Sequence, residues 1–165
     1  MSAIADFRLI ETSKLNALRD NSEIKVQKKL FSKKAIDNYW DYLNANSKKL
    51  PDFNWSGYIF GNLLVFLEER KGVDLLKSEH DEIANAISHN RQTSIFILTF
   101  HHKQNYLVQL SADKYTVDEL IAFNKDFSED DDPELANAEI EGIKVLRSSL
   151  ELLTDDQYVV LLNVG

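Results

Sequence analysis

The sequence predicts an α+β fold in which a small mixed or antiparallel sheet of about four strands is covered by about six helices. Three observations carry this. Segments rich in β-branched and aromatic residues fall near both ends of the chain and in its middle, at residues 6–11, 93–100 and 158–164. Between them lie stretches whose apolar residues recur every three or four positions, the helical period. The resulting order is not a regular alternation of strand and helix, which argues against a doubly wound nucleotide-binding fold. With 165 residues, 44% of them hydrophobic and only 5 Gly and 2 Pro, the chain reads as a single globular domain over 1–165, mostly in regular elements.

Residues 6–11 (DFRLIE) read as a strand, after which Thr12 or Ser13 caps a short helix to Asp20 with Leu15 and Leu18 facing inward. Residues 21–31 alternate only partially and fit either a strand or an irregular connection. Ser32 is expected to cap a helix over 33–46, because Ile36, Tyr39, Trp40 and Leu43 share one helical face. Residues 47–54, with Pro51, read as a loop. The most apolar helix is expected over 56–71, where Ile59, Phe60, Leu63, Leu64, Val65, Phe66 and Leu67 cover nearly the whole circumference. Gly57 and Gly61 lie one turn apart in it, and a Gly in a helix interior costs ~1 kcal/mol, so the pair marks a close backbone approach. Gly72 suits the stop position that follows.

A further helix is expected over 74–89, with Leu75, Leu76, Ile83 and Ile87 inward. Residues 93–100 (TSIFILTF) read as a central strand, and 101–105 as the turn of a hairpin returning through 106–110. Thr116 and Glu119 have capping-box spacing and start a helix to about Phe127. Residues 128–132 (SEDDD) form a solvated loop. Asp132 and Pro133 then suit the cap and first position of a last helix, striped by Ala136, Ile140, Ile143, Leu146, Leu150 and Leu153. Residues 158–164 (YVVLLNV) close the chain as a strand.

The chain has no Cys, which removes disulfides, thiolate metal sites and cysteine nucleophiles. Residues 1–6 carry no basic stretch, no apolar run long enough for a signal segment follows, and the longest apolar segment is broken by Gly61 and Asn62. A cytoplasmic location without membrane association is the expectation. Residues 1–82 balance in charge, so the whole net charge of −8 lies in 83–165. That disfavours nucleic acid, whose phosphates need Lys and Arg, and favours a basic protein partner. An acidic surface also serves solubility with no partner at all.

Motifs for chemistry are lacking. The sequence contains no GxGxxG, no GxxxxGK[ST] and no GxSxG. His80 and His89 are nine residues apart and fall on opposite helical faces, so they do not share a metal. No catalytic, cofactor-binding or metal-binding residue is assigned, and no cofactor is expected. The strongest candidate surface is Asp126, Glu129, Asp130, Asp131, Asp132 and Glu134, which lacks EF-hand spacing and suits docking of a basic protein. A small antidote or immunity-type protein neutralising a basic toxin is one concrete form of this expectation. The alternative is a ligand-binding or enzymatic site assembled from Trp55, Tyr58, His101 and His102. Lys25, Lys28, Lys29, Lys33 and Lys34, interleaved with Val26, Leu30 and Phe31, read as an ordinary charged face.

Overall fold

Two strands far apart in sequence, β1 (Ala5–Glu11) and β6 (Tyr158–Val164), pair antiparallel over their whole length, from Ala5 opposite Val164 to Glu11 opposite Tyr158. They form the centre of the sheet in the computed structural model, which describes residues 3–30 and 32–165. A short strand β4 (Ser47–Lys49) flanks β1, and β5 (Ser94–Leu98) flanks β6, giving the order β4-β1-β6-β5 with every pairing antiparallel. A separate hairpin joins β2 (Lys25–Lys29) to β3 (Ser32–Ile36).

Period-two alternation sends the apolar residues of the central strands to both faces of the sheet, and helices cover each. One face presents Phe7, Val160, Leu162 and Leu98 to α3 (Ile59–Lys71), α6 (Val117–Ser128) and α7 (Pro133–Glu151). The other presents Ile10, Val159, Leu161, Ile95 and Ile97 to α1 (Leu15–Ser22), α2 (Tyr39–Asn46) and α4 (Asp81–Arg91). A seventh helix, α5 (Phe100–Tyr106), follows β5. The α+β class and the antiparallel four-stranded sheet follow the sequence expectation. No helix of the described residues is long and apolar enough to cross a membrane.

Helix ends match their local chemistry. The Thr116 and Glu119 capping box forms, and Asp132 caps α7 with Pro133 in its first turn. Gly72 closes α3 with φ +66°, a left-handed conformation that glycine adopts without penalty. The stripe of α7 is buried at Ala136, Ile143, Leu146 and Leu150 and half-buried at Ile140.

Four expectations are corrected. Residues 100–106 are helical, not the turn of a hairpin: the Thr99 side chain accepts from His102 N–H and the His102 ring accepts in return from Thr99 N–H, a box that starts a helix. Residues 32–36 are a strand and not the first turns of a helix, because β3 finds a partner in β2 and helix α2 begins only at Tyr39. Residues 47–49 pair with β1 instead of forming loop. The segment from Asp74 to His80 is not helical, and α4 begins at Asp81. The basic segment sits on the β2–β3 hairpin, where Lys25, Lys28, Lys33 and Lys34 are exposed; Phe31 lies outside the described residues, as do Met1 and Ser2.

Candidate functional site

The turn between α6 and α7 is an acidic corner. It forms because Glu129 takes a left-handed conformation (φ 59°) that ends α6, and because Asp132 caps α7 by accepting from Glu134 N–H at 2.9 Å. Asp130 braces the turn, accepting from Asp132 N–H at 2.9 Å. Asp126, Glu129, Asp130, Asp131, Asp132 and Glu134 are all exposed. Among the described residues the one cation paired with any of them is Lys125, 3.4 Å from Asp131 and itself exposed. Phe127, half-exposed, stacks on Phe123 beside the corner.

The corner is continuous with an aromatic segment of the preceding chain. Tyr58, 62% exposed, shares a shallow depression of ≈ 270 Å³ with Ser56, Asn62, Ser128, Asp130 and Leu135. From this depression a chain of side-chain amides runs inward. Asn62 Nδ2 donates to Ser128 Oγ (2.8 Å) and to Asn124 Oδ1 (3.1 Å), and Asn124 Nδ2 donates to Glu139 Oε2 (2.8 Å). Glu139 is fully buried, and its Oε1 has no partner. Burial pushes its carboxyl up to about 7; the Asn124 hydrogen bond opposes this and the charge of Asp130 adds to it. A buried ionisable group at the end of a polar chain is a feature the sequence stripe hid, since Glu139 sits among apolar residues of α7.

The structure thus joins Tyr58 from one candidate set to Asp130 from the other. His102 plays a different part. It is buried; its Nδ1 accepts from Thr99 N–H (3.1 Å) and its Nε2–H donates to the Lys77 carbonyl (2.8 Å). Both ring nitrogens are therefore engaged and the neutral tautomer is fixed, with burial holding the pKa below the usual value. His101 is exposed and receives a hydrogen bond from Asn105 at 2.8 Å. Trp55 is 42% exposed on the segment that leads into Tyr58. Among the described residues no three His, Asp or Glu side chains converge in a way that would hold a metal ion.

A second feature was not anticipated. On the α2 side of the sheet, Asp6 lies opposite Asn163 in the β1–β6 register, and both line a cleft of ≈ 340 Å³ with Arg8, Trp40, Lys49 and Thr93. Strand alternation puts Asp6, Arg8 and Asn163 on the same face as Ile10 and Leu161, so polar side chains continue an otherwise apolar row. The cleft adjoins the Tyr58 region through Ile4, whose carbonyl carbon lies 2.8 Å from where a Cβ on Gly57 would be.

The fold defines an α+β protein with an antiparallel sheet between two helical layers. The chain matches no family model, and no curated protein or solved structure is similar to it.

Proposed function

We propose that this chain is a non-enzymatic protein-binding or regulatory domain that docks a basic protein on the α6–α7 corner. The observation that carries the reading is the placement of six exposed carboxylates on the α6–α7 turn and the two helix ends that flank it, next to the exposed ring of Tyr58, with Lys125 as their neighbouring cation. Asp130 and Asp132 have local roles in the turn, but clustered like charge in water is mutually repulsive, whereas it attracts and orients an oppositely charged surface. Tyr58 and Phe127 add the aromatic area that interfaces use as anchors inside a charged rim. An antidote that neutralises a basic toxin is one concrete form of such a domain, and a cytoplasmic setting suits a chain without cysteine.

The test is a paired capture from lysate of the source organism. The wild-type protein and a variant with Asp126→Asn, Glu129→Gln, Asp130→Asn and Asp131→Asn are immobilised at equal density. Asp132 is kept because it caps α7. A basic protein is retained by wild type at low salt, and the variant binds it roughly tenfold or more weakly, as expected for loss of several cross-interface charge pairs. Raising the salt to several hundred millimolar weakens the wild-type complex in the same direction, because the Debye length shortens to a few Å. Equal retention by both proteins would sink the proposal.

A further inference from the structure

Among the described residues, buried side-chain atoms left without a hydrogen-bond partner are Asp6 Oδ1, Tyr39 Oη, Arg91 Nη1, Thr93 Oγ1, Glu139 Oε1 and Asn163 Oδ1. Glu139 lies at the inner end of the Asn62–Asn124 chain that runs in from the acidic corner. The other five gather on the α2 side of the sheet, around the Trp40 cleft: Asp6, Thr93 and Asn163 line it, and Tyr39 beneath packs edge-on to Trp40 at 5.1 Å with the Arg91 guanidinium 4.8 Å over its ring. Each such atom forgoes the hydrogen bonds it had in water, at about 1–3 kcal/mol apiece. Native cores keep few of them, and a cluster beside an open cleft is the pattern of a site whose last partners come from outside the chain.

The chemistry of the free valences selects the occupant. Arg8 Nε already donates to Asp6 Oδ2 at 2.8 Å and its Nη1 to Asn44 Oδ1 at 2.9 Å, which leaves Asp6 Oδ1 uncommitted. Lys49 Nζ is held by Asp52 at 2.6 Å on the rim. Two oxygen acceptors therefore stand side by side across β1 and β6, with the Thr93 hydroxyl next to them and the partly exposed indole of Trp40 (43%) at the mouth. Acceptors under an aromatic face recognise an N–H-bearing cation with an apolar stem. An organic anion would find the two cations of the lining, Arg8 and Lys49, already paired with Asp6 and Asp52.

We infer that the Trp40 cleft binds a guanidinium or alkylammonium group, held by the oxygens of Asp6 and Asn163 and covered by the Trp40 ring. A cleft of ≈ 340 Å³ lies at the small end of ligand pockets and accommodates one such group with its methylene stem. The site is independent of the α6–α7 corner: it stands on other residues, and either reading survives the failure of the other. The cation has two sources, a free small amine or a basic side chain of a protein.

The experiment is a fluorescence titration of the Trp55→Phe protein, in which Trp40 is the reporting indole, with agmatine, N-acetyl-arginine amide and sodium acetate. Both cations, or agmatine alone, give a saturable change of Trp40 emission, while acetate gives none. Binding of N-acetyl-arginine amide as tightly as agmatine assigns the site to a protein side chain; binding of agmatine alone assigns it to a free amine. Asp6→Asn, which keeps the shape and removes the charge, weakens binding roughly tenfold or more, as loss of a charge-assisted hydrogen bond does. Thr93→Val, which removes a hydroxyl while keeping the shape, weakens it by a smaller factor and guards against an effect of Asp6→Asn on folding. The proposal is overturned if neither cation saturates by tens of millimolar, the weak end of specific affinity. It is equally overturned if both variants bind like the parent, or if acetate gives the same response as the cations.

Discussion

Glu139→Gln makes the protein more stable at pH 8 by about 2–3 kcal/mol, a gain that shrinks to less than about 1 kcal/mol at pH 5. The carboxyl of Glu139 is raised to about 7 in the folded protein because it is buried, with one oxygen bonded by Asn124 and the other unpartnered. Unfolded, it titrates near the ordinary 4.5. Between these values the unfolded chain has lost the proton and the folded chain retains it, so folding stability falls as pH rises through about 4.5 to 7 and is level above. A glutamine mimics the protonated side chain and removes that slope. His102 contributes the opposite sign, because its pKa is lowered by burial and stability is lost as pH falls through its unfolded value. That term persists in the variant, so the difference between the two proteins isolates Glu139. Urea unfolding of both at pH 5, 6, 7 and 8 measures it; parallel curves across the series would show that the buried carboxyl is ionised throughout.

The second large effect concerns two glycines four residues apart, Gly57 before α3 and Gly61 inside it. A Cβ on Gly57 would lie 2.8 Å from both Ala5 N and the Ile4 carbonyl carbon, which are main-chain atoms, and Gly57 N–H donates to Ala3 at 2.8 Å. Backbone against backbone cannot yield by a rotamer change, so Gly57→Ala displaces β1 from the start of α3 and costs about 2–3 kcal/mol. Gly61 lies inside α3, exposed, with nothing within 4 Å of its would-be Cβ. Gly61→Ala therefore stabilises by roughly 0.5–1 kcal/mol through helix propensity alone. At this chain length a kcal/mol moves the midpoint by roughly 2–4 °C, so calorimetry reads opposite shifts for the two variants. A similar shift for both would mean that the Ile4–Gly57 approach does not constrain the fold.

These glycines also show where sequence reasoning reaches its limit. A pair of glycines in an apolar helix pointed to a close backbone approach, and Gly57 makes one, but it lies before the helix and its partner is a strand some fifty residues earlier in sequence. Elements fixed by local chemistry were legible: the Thr116 box, the Asp132–Pro133 start and the Gly72 stop each satisfy their own backbone within a few residues. Residues 32–36 and 100–106 were misread for the complementary reason. Ile36, Tyr39, Trp40 and Leu43 do have helical spacing, yet cross-strand pairing with β2 claims the first of them. The polar run 101–105 between two apolar segments imitates a hairpin turn, while the deciding interaction is the ring of His102 accepting from Thr99 N–H, a role no periodicity displays.

The acidic corner was visible because its members are contiguous, and the Trp40 cleft was not, because Asp6, Trp40, Thr93 and Asn163 are brought together by the sheet and by α2. One signal was present. In the strands DFRLIE and YVVLLNV, Asp6, Arg8 and Asn163 are polar residues in rows that also carry Ile10 and Leu161, and such interruptions of a core row call for a partner. Glu139 in the α7 stripe is a signal of the same kind.

The central proposal is that a basic protein docks on the α6–α7 corner. Amide hydrogen exchange of the protein alone and in complex with the basic partner retained in the capture experiment tests this directly. Slowed exchange at residues 126–134 and 55–58, with the remaining amides unchanged, is the predicted footprint. Slowing confined to α4 or to the β2–β3 hairpin, with the corner exchanging as in the free protein, would contradict it.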